Sequence, residues 1–491
     1  MTGPKPVLLA ALAGLAAGLG HAPFGLWPVS FLGFVALFWL VSRAARPFAT
    51  GWAGGAGYFA LTLHWIVEPF LVDIETHGWM APFALVLLAG GLALFWGAAG
   101  WLAARMAGPR ALAFAVALTA AEVVRGHVFT GFPWALPGYI WVDTPLRLAV
   151  AFTGSYGLTL LTLVAAALAV AIPRPVPGAL AAAALLGLAA LPGTLFAPSG
   201  ESLAAPLGTV RLLQPNIPQA EKWDPDRVQE NFRAKLDLTR GPDGDPAPDL
   251  VVWPEAAVVW PLDVAGPALD AISAAAGDVP FITGLNRREG ETWHNSLAVV
   301  GPGGEVRETF DKVHLVPFGE YIPLRIGFIR QLAGTASNGF TPGEAVRLVD
   351  TPLGQALPLI CYEGIFPGHL FRAGARPDYL LLLTNDAWFG TFAGPSQHFD
   401  QARFRAAEHG LPLVRAANRG VSTVIDPWGN TAGVLSADLA ASGDFAVPRG
   451  LPATLYARTG DWPVFALLVA ALLGALGLGA RNRIAKPAGL G

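Results

Sequence analysis

Long apolar runs fill the first two fifths of the chain and then give way to a shorter, alternating pattern. The runs at 6–20, 24–42, 51–72, 81–104, 110–124, 148–172 and 178–197 approach the ~20 mostly apolar residues that a helix needs to cross a bilayer, and 462–480 is an eighth. Between 209 and 445 short β-rich stretches, "TVRLLQP", "LVVWPEAA", "PFITGL", "NSLAVVGP", "ALPLICYE", "YLLLLTND" and "LPLVRAAN…VSTVIDPWG", alternate with amphipathic ones such as "RVQENFRAKLDLTR", "GPALDAISAAAG" and "QHFDQARFRAAEHG". That alternation predicts an α/β sheet domain with helices on its faces. The expected architecture is an α-helical membrane bundle of eight spans, seven plus one, with an inserted extracytoplasmic α/β domain. Its parts are 1–197 (bundle), 198–461 (inserted domain), 462–480 (eighth span) and 481–491 (tail).

Composition sharpens this division. The chain is 53% hydrophobic and 14% charged, against roughly 25% charged in an ordinary soluble domain. Only 13 Asp, Glu, Lys and Arg fall in residues 1–200, leaving 54 for 201–491. A net charge of −3 without Lys/Arg-rich stripes gives a nucleic-acid role no basis. With the N-terminus inside, the cytoplasmic segments hold Lys5, Arg43, Arg46, Arg105, Arg110, Arg174, Arg481, Arg483 and Lys486, and the opposite short loops hold Arg125 and Arg147. Nine against two fixes the expected orientation, with both termini cytoplasmic and 198–461 outside the cytoplasm. "VLLAALAGLAAGLG" after Lys5 could serve as a signal-peptide core, but no clean small-x-small site precedes a soluble start, so it is read as the first span.

The chain has one cysteine, Cys361, which excludes an internal disulfide and any multi-Cys metal site. Nine histidines lack paired or H-E-x-x-H spacing, so no metal and no cofactor is expected. Taken alone, a lone Cys is most often a small core residue. Its company is what matters. Cys361 closes the strand "ALPLICYE" just before a predicted helix at "GIFPGHLFRAGA", Glu255 follows the strand of "VVWPEAAV", and Lys312 sits among apolar and aromatic residues in "FDKVHLVPFGEY". Ligands of α/β sheets gather at the carboxyl ends of strands. Carbonyl attack through a thiol needs a nucleophile, a base and donors for the developing oxyanion, and Cys361, Glu255 and Lys312 supply them, with the Tyr362 N–H as a further donor. "GPGGE" at 301–305 reads as a hairpin turn, since no Lys-Ser/Thr follows it.

"WPE", "DKVHLVPFGEY" and "CYEG" resemble the three catalytic motifs of the nitrilase superfamily, whose members carry a Glu-Lys-Cys triad on an αββα sandwich. With "APFGLWP", "EVVRGHVFTGFPWALPGY", "NDAWFG", "QHFDQARFRAAE", "RAANRGVS" and "YARTGDWP", nearly the whole chain looks like the apolipoprotein N-acyltransferase family. The resemblance implies transfer of an acyl chain from a phospholipid, usually phosphatidylethanolamine, through a thioester on Cys361 to the α-amino group of the diacylglyceryl-cysteine that begins a lipoprotein. It implies Glu255 as general base, Lys312 and the Tyr362 N–H as oxyanion donors, and Glu320 and Glu363 as supporting carboxylates, the last in a role that can be purely structural. Trp223, Trp134, Pro323 and Trp388 are the expected substrate-binding residues, with plain interfacial anchoring the alternative for Trp223 and Trp134. The partners implied are that phospholipid, the diacylated apolipoprotein and the bilayer of a bacterial inner membrane, and the chain is expected to act as a monomer.

Four further readings complete the picture. "EKWDPD" and "HVFTGFPWALPGY" carry aromatics that look exposed and suited to a membrane interface. "VPFGEYIPLRIGFIRQLAG" is expected to be a mobile lid over the thioester. Glu68 and Glu122 lie in or near spans, where carboxylates are costly, and Glu122 is expected to pair with Arg125. The family commonly has Trp where "GPSQHF" has Ser396, which puts lid or acyl-chain contacts in doubt and leaves the chemistry intact. Two rivals remain: a membrane-bound nitrilase-type amidase, which shares the triad, and a transporter or receptor, which leaves the triad unexplained and for which the bundle shows no internal repeat.

Overall fold

The computed structural model of the chain describes residues 4–196, 205–241, 246–322 and 339–484. Two compact units make it up: Met1–Ala197 with Phe392–Asp400 and Ala453–Gly491, and Pro198–Thr391 with Gln401–Pro452.

The first unit is helical. Its long helices are Lys5–Gly18, Trp27–Arg43, Pro47–Thr62, Ala81–Ala103, Arg110–Arg125, Val150–Ala171, Pro175–Phe196 and Trp462–Ile484. By length and composition, three stretches among the described residues suffice to cross a membrane: Ile74–Ala103, Pro145–Ala171 and Trp462–Gly479. The apolar run at 51–72 does not continue as one helix. Leu63 leaves helical geometry at φ −112, ψ 16, and short turns at His64–Val67 and Glu68–Leu71 follow. Small residues let helices approach closely, the packing that apolar surroundings reward: a methyl on Gly14 would strike the Gly54 carbonyl, and one on Gly57 the Ala11 carbonyl. Glu122 is fully buried and paired with Arg125, and Trp96 Nε1 donates to Glu122 Oε1 at 2.7 Å. The structural reading of Glu122 is therefore the one observed.

The second unit holds two sheets. Its strands are β1 Gly208–Gln214, β2 Leu250–Val252, β3 Phe281–Glu289, β4 Thr292–Val300, β5 Val306–Asp311, β6 Val349–Thr351, β7 Gly354–Ile360, β8 Tyr379–Thr384, β9 Leu413–Ala417, β10 Thr423–Ile425 and β11 Ala441–Val447. They form a six-stranded sheet ordered β11-β1-β2-β3-β4-β5 and a five-stranded sheet ordered β10-β9-β8-β7-β6. β7, β8 and β9 are parallel neighbours, and β8, "YLLLLT", is buried at every position. Such strands are covered on both faces and lose the polar alternation. Val210, Leu212, Ile282 and Leu297 of one sheet share a core with Ala356, Ile360, Leu381 and Val414 of the other. On the far side of the six-stranded sheet, Phe232, Leu269 and Ile272 of helices Val228–Arg240 and Gly266–Ala276 pack against Val251, Phe281 and Val300.

Two expectations about local structure change. The predicted helix at 364–375 is replaced by single turns at Cys361–Ile365 and His369–Ala373, because Pro367 and the glycines at 364, 368 and 374 interrupt any longer run. Strands β5, β6 and β11 were not predicted. β5 is half exposed and charged, β6 has three residues, and the Ala-Ser-Gly-Asp start of β11 has weak strand propensity. The "GPGGE" turn is found between β4 and β5. Of the expected lid, 316–322 is described, whereas 323–334, including Pro323, lies outside the described residues.

Candidate active site

Glu255 follows β2 on a tight loop, 7% exposed. The residue after it, Ala256, has φ 46, a left-handed conformation that costs a non-glycine residue on the order of 1–3 kcal/mol. Gly284 of β3 makes room for this loop, since a Cβ there would lie 2.5 Å from Ala256 N and 2.6 Å from Glu255 Cα. Lys312 follows β5, 1% exposed, and its backbone is pinned on both sides: its N–H donates to the Asn295 carbonyl and the Gly343 N–H donates to its own carbonyl, each at 2.8 Å.

Asn295 on β4 bridges the carboxylates. Its Nδ2 donates to Glu255 Oε1 at 2.8 Å and to Glu320 Oε1 at 2.9 Å. Lys312 Nζ donates to Glu320 Oε1 at 2.9 Å and lies 3.8 Å from Glu255 Oε1. The tight turn carrying Glu320 is closed by Phe318 N–H to Tyr321 O at 2.7 Å, with Phe318 at φ 66, and Val316 N–H donates back to Glu320 Oε2 at 2.7 Å. One ammonium thus faces two carboxylates that share an amide.

Cys361 directly follows β7 at φ 51 and is 5% exposed. A left-handed non-glycine residue at a strand end is strain of the kind that gathers at functional positions. Glu363 lies two residues on and is fully buried. Its Oε1 accepts from Val313 N–H at 2.8 Å and His314 N–H at 3.0 Å, and its Oε2 accepts from Ile360 N–H at 2.8 Å. A single carboxylate therefore joins the segment just after Lys312 to the residue just before Cys361. The Tyr362 ring packs on His314 and Phe366. Behind the thiol, Thr384 hydrogen-bonds Cys361 and donates to Asp386 Oδ1 at 2.7 Å, and Asp386 is paired with buried Arg415 at 2.6 Å.

The other expected residues differ in exposure. Trp223 and Trp388 are 46% and 41% exposed. Trp134 is 1% exposed, so the exposure expected of the 127–139 loop falls on Phe129, at 93%. Trp134 donates its Nε1–H to Gln397 Oε1 at 2.7 Å and packs against Trp65. Ser396 is half-buried in the first turn of helix Gly394–His409. Asn295, Thr384 and Asp386 were not singled out from the sequence. For Asn295 a signal existed, because Asn is disfavoured inside a strand and "HNSLAVV" places it there.

Residues 13–168 match the model of the apolipoprotein N-acyltransferase N-terminal domain, and 209–439 match that of carbon-nitrogen hydrolases. An apolipoprotein N-acyltransferase of Caulobacter vibrioides is 41% identical over 94% of this chain and 92% of its own length. The chain belongs to the apolipoprotein N-acyltransferase family. Another member, from Rhodopseudomonas palustris, is 37% identical over 96% of this chain and 94% of its own.

In this member of the apolipoprotein N-acyltransferase family, the charges around the thiol work against one another. Burial pushes the Cys361 thiol well above its ordinary range and the Glu255 carboxylate adds to this, while Lys312 pulls it down. Burial alone would lower Lys312, but Glu320 and then Glu255 hold its ammonium well above the ordinary value. The resting arrangement is thus a neutral thiol beside a charged lysine. Among the described residues no group of three or more His, Cys, Asp or Glu is placed to hold a metal ion.

Proposed function

We propose that the chain transfers an acyl chain from a phospholipid to the α-amino group of the N-terminal diacylglyceryl-cysteine of lipoproteins, with Glu255, Lys312 and Cys361 as its catalytic residues. The observation that carries this is a lone buried Cys361 at a left-handed strand end, within the electrostatic reach of Glu255 and Lys312, in a member of this family.

The steps follow from the groups at hand. Glu255 takes the thiol proton as sulfur attacks the ester carbonyl, and the oxyanion forms against Lys312 and the Tyr362 N–H. Collapse breaks the ester C–O bond, Glu255 returns the proton to the departing lysophospholipid oxygen, and a thioester remains on Cys361. The amine then attacks the thioester, Glu255 takes its proton, and the thiol is restored as the amide forms. Glu320 and Asn295 hold Lys312 and Glu255 in place for both halves. Phosphatidylethanolamine is the proposed donor. Exposed Trp223 and Trp388 are aromatics available to meet lipid, with Pro323 and Trp134 as further substrate-binding candidates.

The proposed setting is a bacterial inner membrane, crossed by the seven-plus-one helices, with the catalytic domain on the periplasmic side, as the Lys/Arg bias supports. The acceptor is tested in cells depleted of their own N-acyltransferase and supplied with this gene. A model lipoprotein is expected to gain a third acyl chain, seen as an added acyl mass on its N-terminal peptide. A lipoprotein that stays diacylated while the enzyme releases free fatty acid would favour the amidase-type hydrolase instead.

A further inference from the structure

Two lysines outside the proposed catalytic group are buried. Lys222, next to Trp223, is 6% exposed, and Lys235, on helix Val228–Arg240, is 4% exposed. Among the described residues neither ammonium lies within ion-pair distance of a carboxylate. Burying a charge is costly unless strong acceptors meet it. Here each meets one, and both acceptors belong to the same loop. Lys222 Nζ donates to the backbone carbonyl of Glu255 at 3.1 Å, and Lys235 Nζ donates to that of Ala257.

Between those two carbonyls sits Ala256 at φ 46. The unfavourable turn that aims Glu255 is therefore gripped by an ammonium on each side, with Gly284 close beneath it. Each lysine is itself braced by an indole, Lys222 at 5.9 Å from the Trp223 ring and Lys235 at 5.7 Å from the Trp253 ring. Trp253 in turn donates its Nε1–H to Thr239 Oγ1 at 3.0 Å, one turn along the helix from Lys235.

The burial has visible effects on both groups. It lowers Lys222 to about 8, with Glu255 and Cys361 opposing, and lowers Lys235 to about 7, with Lys222 adding to the fall. Two ammoniums close enough to repel are held against one short loop, and Lys222 also lies within the electrostatic reach of the thiol. A purely packing role would be met by a methionine of similar length, which would avoid this repulsion.

We propose that Lys222 and Lys235 are positioning residues that clamp the Glu255 loop in its left-handed turn, so that the carboxylate stays aligned with Cys361 during acylation. This rests on the proposed reading of Glu255 as the base. Neither lysine touches the reacting atoms.

The test uses the full-length protein in detergent with phosphatidylethanolamine, following acyl-adduct formation on Cys361 by intact-mass spectrometry across donor concentrations. Lys222→Met and Lys235→Met are expected to lose on the order of 100-fold in the saturating rate, the scale of a misplaced catalytic group. The half-saturating donor concentration and the melting profile should stay near wild type, and the Lys→Arg variants should regain most of the rate. Rates are taken per folded molecule; where a methionine variant does not fold, the glutamine variant at the same position takes its place with the same readings. Wild-type saturating rates in both methionine variants, a change confined to half-saturation, or no rescue by arginine would each overturn the clamp while leaving Glu255 as base. A wild-type enzyme that forms no adduct would overturn both.

Discussion

Lys312→Met is expected to cut acyl transfer by about 10³-fold, the upper range for removing one oxyanion donor, and to destabilise the folded chain by about 3–5 kcal/mol, as breaking a buried ion pair does. Both effects come from one feature. Lys312 Nζ is the cation facing Glu320 at 2.9 Å and Glu255 at 3.8 Å, and Asn295 draws those carboxylates together through a single amide nitrogen. Without the ammonium, Glu255 and Glu320 keep only neutral donors, the shared Asn295 amide and, for Glu320, the Val316 N–H, and the oxyanion and the thiolate of the proposed reaction lose the positive charge of Lys312. A second substitution separates the losses. Adding Glu320→Gln to Lys312→Met removes one of the two stranded charges, so thermal stability should partly return while the transfer rate stays at the single-variant level. A Lys312→Met enzyme keeping more than a tenth of its rate would exclude Lys312 from oxyanion stabilisation.

Glu363→Gln, usually a mild change, is expected to be severe here. The carboxylate accepts three backbone N–H donors, two on Oε1 and one on Oε2. Glutamine has one acceptor oxygen, so whichever way the amide turns, its NH2 group meets a donor and leaves at least one buried N–H unpaired, at about 1–3 kcal/mol. The three donors are Ile360, Val313 and His314, so the strain falls on the neighbours of Cys361 and Lys312. A loss on the order of 100-fold in adduct formation is expected from that misplacement. The pH dependence adds a sign. Burial pushes the Glu363 carboxyl up to about 7 from its ordinary 4.5, against the hydrogen bonds from Ile360, His314 and Val313. Between those values the folded chain holds a proton that the unfolded chain has released, so this group's contribution to stability is complete below pH 4.5 and is lost as pH rises through about 7. Glutamine does not titrate. The gap in melting temperature between wild type and Glu363→Gln should therefore narrow from about pH 5 to about pH 7.5; a gap that widens would contradict the assignment.

Of the three residues proposed as catalytic, Glu255 and Cys361 were legible because each follows an apolar strand, and Lys312 because it stands as a charge among apolar and aromatic neighbours, although the charged strand before it was not. The parallel strands β7, β8 and β9 were legible as buried runs such as "YLLLLT". What the pattern hid was long-range. Glu363 acquires its meaning from Val313 and His314, about 50 positions earlier in the chain. Lys235 stands on a strongly amphipathic helix among Arg, Asp and Glu, where a charged residue reads as solvent-facing, and only tertiary structure turns it onto the Ala257 carbonyl. Trp134 looked exposed because its loop is rich in Pro and Gly, yet its indole is buried against Trp65. β11 escaped notice because its register against β1, from Gly208–Val447 to Gln214–Ala441, pairs residues more than 200 positions apart.

The central claim is that Cys361 carries the acyl chain between donor and acceptor. The most direct measurement is intact-mass spectrometry of the purified enzyme after incubation with phosphatidylethanolamine and no lipoprotein. The expected result is an added acyl mass that maps to the Cys361 peptide, is released by hydroxylamine as a thioester is, disappears when a diacylated lipoprotein peptide is supplied, and is absent in Cys361→Ala. No adduct on the wild type, or lipoprotein acylation by Cys361→Ala, would contradict it.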